Sequence, residues 1–237
     1  MMERWALISG LQGDLDLYEK IQGDLKKRRG VRHLFVLGDF INHKRNCDAL
    51  INRLRNPKAN DLKPHCIYGW WEEQLLAELG FRGEKQAEAL RDQYDQSVVE
   101  ELLNAVSQEH HHWIASLQYG FIELDCALIH ASSADVGDSL TSETSPLILL
   151  DRLTRVDVNR LFSARSGEQF RLDLTGGSNE SNIHGPTGTH QDRQVVPKRS
   201  VIGIGHANRY TLYDPGSDHI EFRDASQDSS RSGLGFV

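Results

Sequence analysis

Three turns in this chain each place a side chain of the metal-ligating kind directly after an apolar run. They are Gly38-Asp39-Phe40-Ile41-Asn42, Leu128-Ile129-His130 and Gly205-His206-Ala207-Asn208. Carboxylates and imidazoles at such positions can hold a divalent cation. Each also has an ordinary reading: an aspartate caps turns, and a lone histidine is commonly a hydrogen-bonded residue at a strand end. The tract His110-His111-His112 invites a metal reading too, but consecutive residues on a helix point to different sides and cannot converge on one ion. It reads as a solvated helix end. Arg152, Arg155, Arg160 and Arg165, with Asp151 and Asp157 interleaved, read as a solvated, ion-paired face, with a phosphate or acidic-partner contact as the weaker alternative. Gly203-Ile204-Gly205 precedes a strand and is too short for a dinucleotide fingerprint.

The elements that must position these turns follow from hydrophobic periodicity. Apolar runs at 5–9, 33–37 and 66–68 each end in a turn, and the first two are followed by helical spacing, Leu15, Tyr18, Ile21 and Leu25 and then Cys47, Leu50, Ile51 and Leu54. Residues 72–116 read as helix-rich, with Leu102, Leu103, Val106, Trp113, Ile114 and Leu117 on the apolar face of a last helix. Residues 120–123 and 127–130 pair as a hairpin, and 146–164 reads as helical. Strands are then expected at 169–174, 200–205, 209–213 and 219–222, the last two joined by an Asp-Pro-Gly-Ser turn. Residues 176–194, rich in Gly, Ser, Asn and Thr, are expected to form a mobile loop, and 224–237 a flexible tail. Strand–helix alternation followed by a strand-rich end predicts an α/β fold, a layered sandwich of mixed β-sheets flanked by helices.

Length and charge narrow the field. A chain of 237 residues, 38% hydrophobic and 26% charged, suits one sizeable core, so a single domain is expected over 1–223. A formal charge of −7 argues against a surface that collects nucleic-acid phosphates or anionic lipid head groups. No apolar run has the length of a membrane span or signal peptide, and Cys47, Cys66 and Cys126 lack the spacing of a zinc knuckle or redox pair. A cytoplasmic protein with no membrane and no nucleic-acid partner is expected.

The order of these turns resembles the calcineurin-like metallophosphoesterases over about residues 5–223. The resemblance implies a metallophosphoesterase-like sandwich and, in an intact member, a dinuclear metal centre. In that family a first Asp-x-His-Gly turn binds the first metal; the matching stretch here is Ser9-Gly10-Leu11-Gln12-Gly13, without either ligand. The Gly-Asp block holds the carboxylate that bridges both metals, and Asp39 matches it, with Asn42 a softer match. The Gly-Asn-His-Glu block supplies a second-metal ligand and the acid that protonates the leaving oxygen; here it is Gly69-Trp70-Trp71-Glu72. His130 and His206 match second-metal ligands, while Asn208 stands in for a first-metal histidine.

The resemblance therefore implies an asymmetric loss. Two-metal chemistry needs cations about 3.5–4 Å apart, and the first position is left without an adequate ligand set. Asp39, His130 and His206 have the ligand count for one zinc, manganese or iron ion with open positions. Trp70 and Trp71 would fill or roof the phosphate pocket, as packing residues or as anchors for a protein partner. The leading expectation is a binding or regulatory module, a use with precedent in the phosphoesterase-like scaffold subunit of retromer. The alternative is a mononuclear metal-dependent phosphohydrolase.

Overall fold

The computed structural model describes residues 3–175, 178–185, 188–195 and 198–226. In chain order the elements are β1 (Arg4–Ile8), α1 (Leu15–Lys26), β2 (Val31–Leu37), α2 (Asp48–Arg55), β3 (Pro64–Ile67), α3 (Trp70–Glu78), α4 (Glu84–Gln93), α5 (Gln96–Asn104), α6 (Gln108–Ala115), β4 (Gly120–Glu123), β5 (Cys126–Ile129), α7 (Pro146–Arg155), β6 (Arg160–Ser163), β7 (Gln169–Leu174), β8 (Ser178–Gly185), β9 (Gly188–Val195), β10 (Arg199–Ile204), β11 (Arg209–Asp214) and β12 (His219–Asp224).

Two mixed five-stranded sheets form the sandwich, in the orders β12-β11-β1-β2-β3 and β4-β5-β6-β10-β7. Their facing sides make one core from Trp5, Leu7, Phe35, Leu37, Leu128, Phe162, Ile202 and Tyr213. The alternate residues of the same strands point outward. Ala6, Ile8, Leu34 and Val36 pack under α1–α6, and Ala127, Ile129, Leu161 and Val201 pack under α7. Central strands covered on both faces need apolar side chains at every position, so they read as continuous apolar runs. Among the described residues, no helix is long and apolar enough to cross a membrane.

Four expectations are corrected. The predicted last helix is two, α5 and α6, separated at residues 105–107. The predicted helix over 146–164 ends at Arg155; Asp157 turns left-handed at φ 49°, and Arg160–Ser163 is a strand between β5 and β10. Leu161 and Phe162 face opposite cores, a period of two that a helical reading of that short run misassigns. Within the predicted loop at 176–194, Ser178–Gly185 and Gly188–Val195 pair as an antiparallel hairpin that joins neither large sheet. Backbone ladders need no apolar side chains, so composition alone does not exclude them. The predicted tail begins too early: Asp224 closes β12 and Ala225 is buried with its N–H on Asn208 O at 2.8 Å. Residues 227–237 lie outside the described residues.

Two glycines on the same fold give opposite expectations. Gly38 follows β2 at φ +71°, and a Cβ there would lie 2.4 Å from the Gly69 Cα, where backbone meets backbone. Gly23 lies inside α1 with nothing within 4 Å of a Cβ. In urea unfolding, Gly38→Ala should cost roughly 2–5 kcal/mol from left-handed strain plus forced displacement. Gly23→Ala should stabilise by about 0.5–1 kcal/mol. Equal effects at the two positions would contradict the close approach of the β2 and β3 turns.

Candidate functional site

The turns that follow β1, β2, β3, β5, β6 and β10 all leave the carboxyl ends of strands along one edge of the sandwich, where α/β folds collect their sites. They are bonded to one another through the main chain. Gly10 N–H, Gln12 N–H and Gly13 N–H donate to the carbonyls of Gly38, Asp39 and Phe40, and Ala207 N–H donates to Ser9 O. The Ser9 hydroxyl lies within hydrogen-bond distance of both Leu37 O and Gly38 O. Gln12, Asp39 and Ala207 all sit at positive φ, at 48°, 51° and 57°. Left-handed non-glycine residues clustered this way mark a site whose surroundings over-determine its geometry.

Glu72 is the clamp. Fully buried on the first turn of α3, its carboxylate accepts from Gly69 N–H at 2.7 Å, Asp39 N–H at 2.8 Å and Ile41 N–H at 2.9 Å. It thus fastens the β2 turn to the start of α3. In return Asp39 Oδ1 accepts from Trp71 N–H at 3.0 Å, so Asp39 caps α3 from a neighbouring turn. The capping reading of Asp39 is realised, on a helix further along the chain than its own turn suggests.

Around Asp39 the charges are close. Asp39 is 2% exposed, and its Oδ2 lies 3.4 Å from His130 Nε2 and 3.5 Å from Arg165 Nη1. Burial alone would raise the Asp39 pKa; the charges of His130 and Arg165 and the Trp71 N–H outweigh it and hold the carboxyl below its ordinary range. Burial would lower His130, but Asp39 and the Leu37 carbonyl raise it. Burial and the Asp39 charge push Glu72 up against its three N–H donors. Burial depresses His206.

Neither a protein-family model nor any curated protein matches the sequence. Solved structures do. The metallophosphoesterase from Sphaerobacter thermophilus aligns with a TM-score of 0.63 at 13% identity, covering 94% of this chain and 88% of that one. A mutant cold-active protein tyrosine phosphatase aligns with a TM-score of 0.53 at 12% identity, covering 94% of this chain and 80% of that one. The chain has a calcineurin-like phosphoesterase fold.

In this phosphoesterase fold, the residues present do not make a metal centre as they stand. His130 keeps a ligand's posture: its Nδ1 is 2.7 Å from Leu37 O and its buried Nε2 has no hydrogen-bond partner. Asp39 and His130 are together. His206, however, lies with its Nε2 3.5 Å from the Gln12 amide, and its ring fills the space beside Gly10, where a Cβ would come within 2.0 Å of ring atoms. Asn208 donates to Asp224 Oδ1 at 2.7 Å, and Asn42 donates to Gln12 Oε1 at 3.2 Å. Among the described residues, no group of three His, Cys, Asp or Glu side chains could hold an ion. Of the expected set, Asp39 and His130 meet at 3.4 Å, while the His206 ring is placed against Gln12 and the space beside Gly10.

Trp70 and Trp71 are 3% and 8% exposed, packed edge to face at 4.8 Å and both against Tyr94. They are packing residues of the core beneath the helices, so the expectation of partly exposed anchors for a partner is corrected. The solvated reading of the histidine tract is corrected at His110, while His112 is exposed. His110 is fully buried with Nδ1 2.9 Å from Arg55 Nη1, while His111 Nε2 meets Val106 O and the His112 ring meets Phe81. Of the four arginines, Arg152, Arg155 and Arg160 do pair on the surface with Asp138, Asp151 and Asp218. Arg165 leaves that face and enters the site. The sequence reading grouped it with the solvated face because the strand before it was assigned to a helix over 146–164; the alternation of Leu161 and Phe162 was the available signal.

Two outcomes test this geometry. Glu72→Gln places an amide N–H₂ against backbone donors and should cost about 2–4 kcal/mol in chemical unfolding; a loss below 0.5 kcal/mol would contradict the clamp. Asp39 has a lower pKa folded than unfolded, so its contribution is complete above about pH 4 and disappears as pH falls further. Wild-type stability should therefore drop below pH 4 more steeply than that of Asp39→Asn.

Proposed function

We propose that this protein is a non-hydrolytic member of the phosphoesterase fold that works by binding another protein. The observation that carries the reading is the replacement of the reactive block by Trp70 and Trp71, both buried. Where the family places a metal ligand and a leaving-group acid, this chain has two indoles; loss of such an acid alone removes a rate factor on the order of 10²–10⁴. Gly10 and Gln12 likewise leave the first metal position without its ligands.

A surface away from this edge supports the binding role. On α7, Leu147 is 79% and Ile148 44% exposed, beside a groove of about 390 Å³ lined by Pro146, Leu147, Leu150, Leu174 and Arg199. Burying these two side chains against a partner would remove apolar surface from water. This face replaces the tryptophan pair as the proposed docking site.

The test has two arms. With manganese present, hydrolysis of an aryl phosphate monoester and a diester should not exceed the protein-free rate. Turnover abolished by His130→Ala would overturn the non-hydrolytic reading and favour the mononuclear hydrolase. A protein recovered in stoichiometric amount with the tagged chain should be lost with Leu147→Asp; its retention would overturn the α7 docking face.

A further inference from the structure

A carboxylate as buried as Asp39 must be neutralised where it stands, since an uncompensated buried charge costs several kcal/mol. In a phosphoesterase with its metals, cations meet the matching carboxylate. Here Asp39 meets His130 at 3.4 Å and, at 3.5 Å, the permanently charged Arg165, whose placement is built. The main-chain N–H groups of Ala164 and Arg165 both donate to His130 O at 2.8 Å, fixing the turn after β6 against the turn after β5. The guanidinium then lies 4.7 Å from the Trp70 ring centroid, with Nη1 3.5 Å from Asp39 Oδ2.

An arginine keeps its charge at any pH the fold survives, and its planar face suits an aromatic ring. Trp70 stands at the position the resemblance gives to a second-metal asparagine, so one substitution removes a metal ligand and provides the surface on which the guanidinium rests. We infer that Arg165 is an internal cation that takes the place of metal charge at Asp39 and keeps divalent ions out of the Asp39–His130 pair. The inference deepens the non-hydrolytic reading above, and its test reads stability and metal occupancy instead of turnover.

The full-length protein and Arg165→Ala are compared by thermal unfolding with and without Mn(II), with bound Mn(II) counted by its paramagnetic resonance signal. Wild type should bind none and show no change in Tm. Arg165→Ala should melt about 5–10 °C lower, recover when Mn(II) is added, and lose that recovery when His130→Ala is combined with it. Wild-type protein that binds Mn(II) stoichiometrically without turnover would overturn the arginine assignment and leave the non-hydrolytic reading standing. Arg165→Ala that melts with wild type and ignores Mn(II) would overturn it equally. Should Arg165→Ala not fold, Asp39→Asn combined with Arg165→Gln removes both charges. That pair should be more stable than Arg165→Gln alone; no difference would overturn the assignment.

Discussion

The negative charge of Asp39, held at a left-handed turn with 2% of its surface exposed, constrains everything along this edge of the sandwich. Its oxygens are divided between two tasks. One caps α3 through the Trp71 N–H, and the other faces His130 and Arg165. Each partner arrives on a different turn, so the charge couples the ends of β2, β3, β5 and β6. Moving any one of those turns would leave a buried group without its counterpart, which is more costly than never having buried the pair.

Glu72 adds a second buried carboxylate, whose pKa is raised by burial and then by repulsion from Asp39. The arrangement is tolerable because the two are served by different donors: Glu72 by three main-chain N–H groups, Asp39 by one N–H and two side-chain cations. The division gives both carboxylates a structural task that is independent of any chemistry. They hold backbone, and backbone is needed whether or not a reaction takes place. Retention of a family residue is therefore weak evidence for retained chemistry when that residue also closes turns.

How much of this was legible in the sequence depended on the kind of physics involved. Strands covered on both faces announce themselves as apolar runs, so β1, β2, β5 and β10 and the turns that end them were visible, and with them the positions of Asp39, His130 and His206. The short strand β6 was not, because Leu161 and Phe162 alone cannot separate a period of two from a helix, and Arg165 was hidden with it. The hairpin of β8 and β9 is joined through main-chain bonds that leave no hydrophobic trace. Burial of Trp70, Trp71 and His110 depends on what α4, α5 and α2 bring over them, long-range packing that local composition does not encode.

The positions that differ from the metallophosphoesterase blocks the sequence resembles also depend on one another. Gly10 leaves room that the His206 ring now fills, so an aspartate restored there would collide with the ring before reaching a metal. Asparagine restored at Trp70 would remove the surface beneath Arg165 and leave the guanidinium over a void. Histidine at Asn208 would remove the amide that donates to Asp224 Oδ1, the oxygen that also accepts from the Ser226 N–H beyond β12. Each reversal taken singly breaks a contact in the present packing and gains no complete ligand set. Contacts related in this way form one self-consistent packing of this edge, in which the Arg165 guanidinium lies between the Asp39 carboxylate and the Trp70 ring.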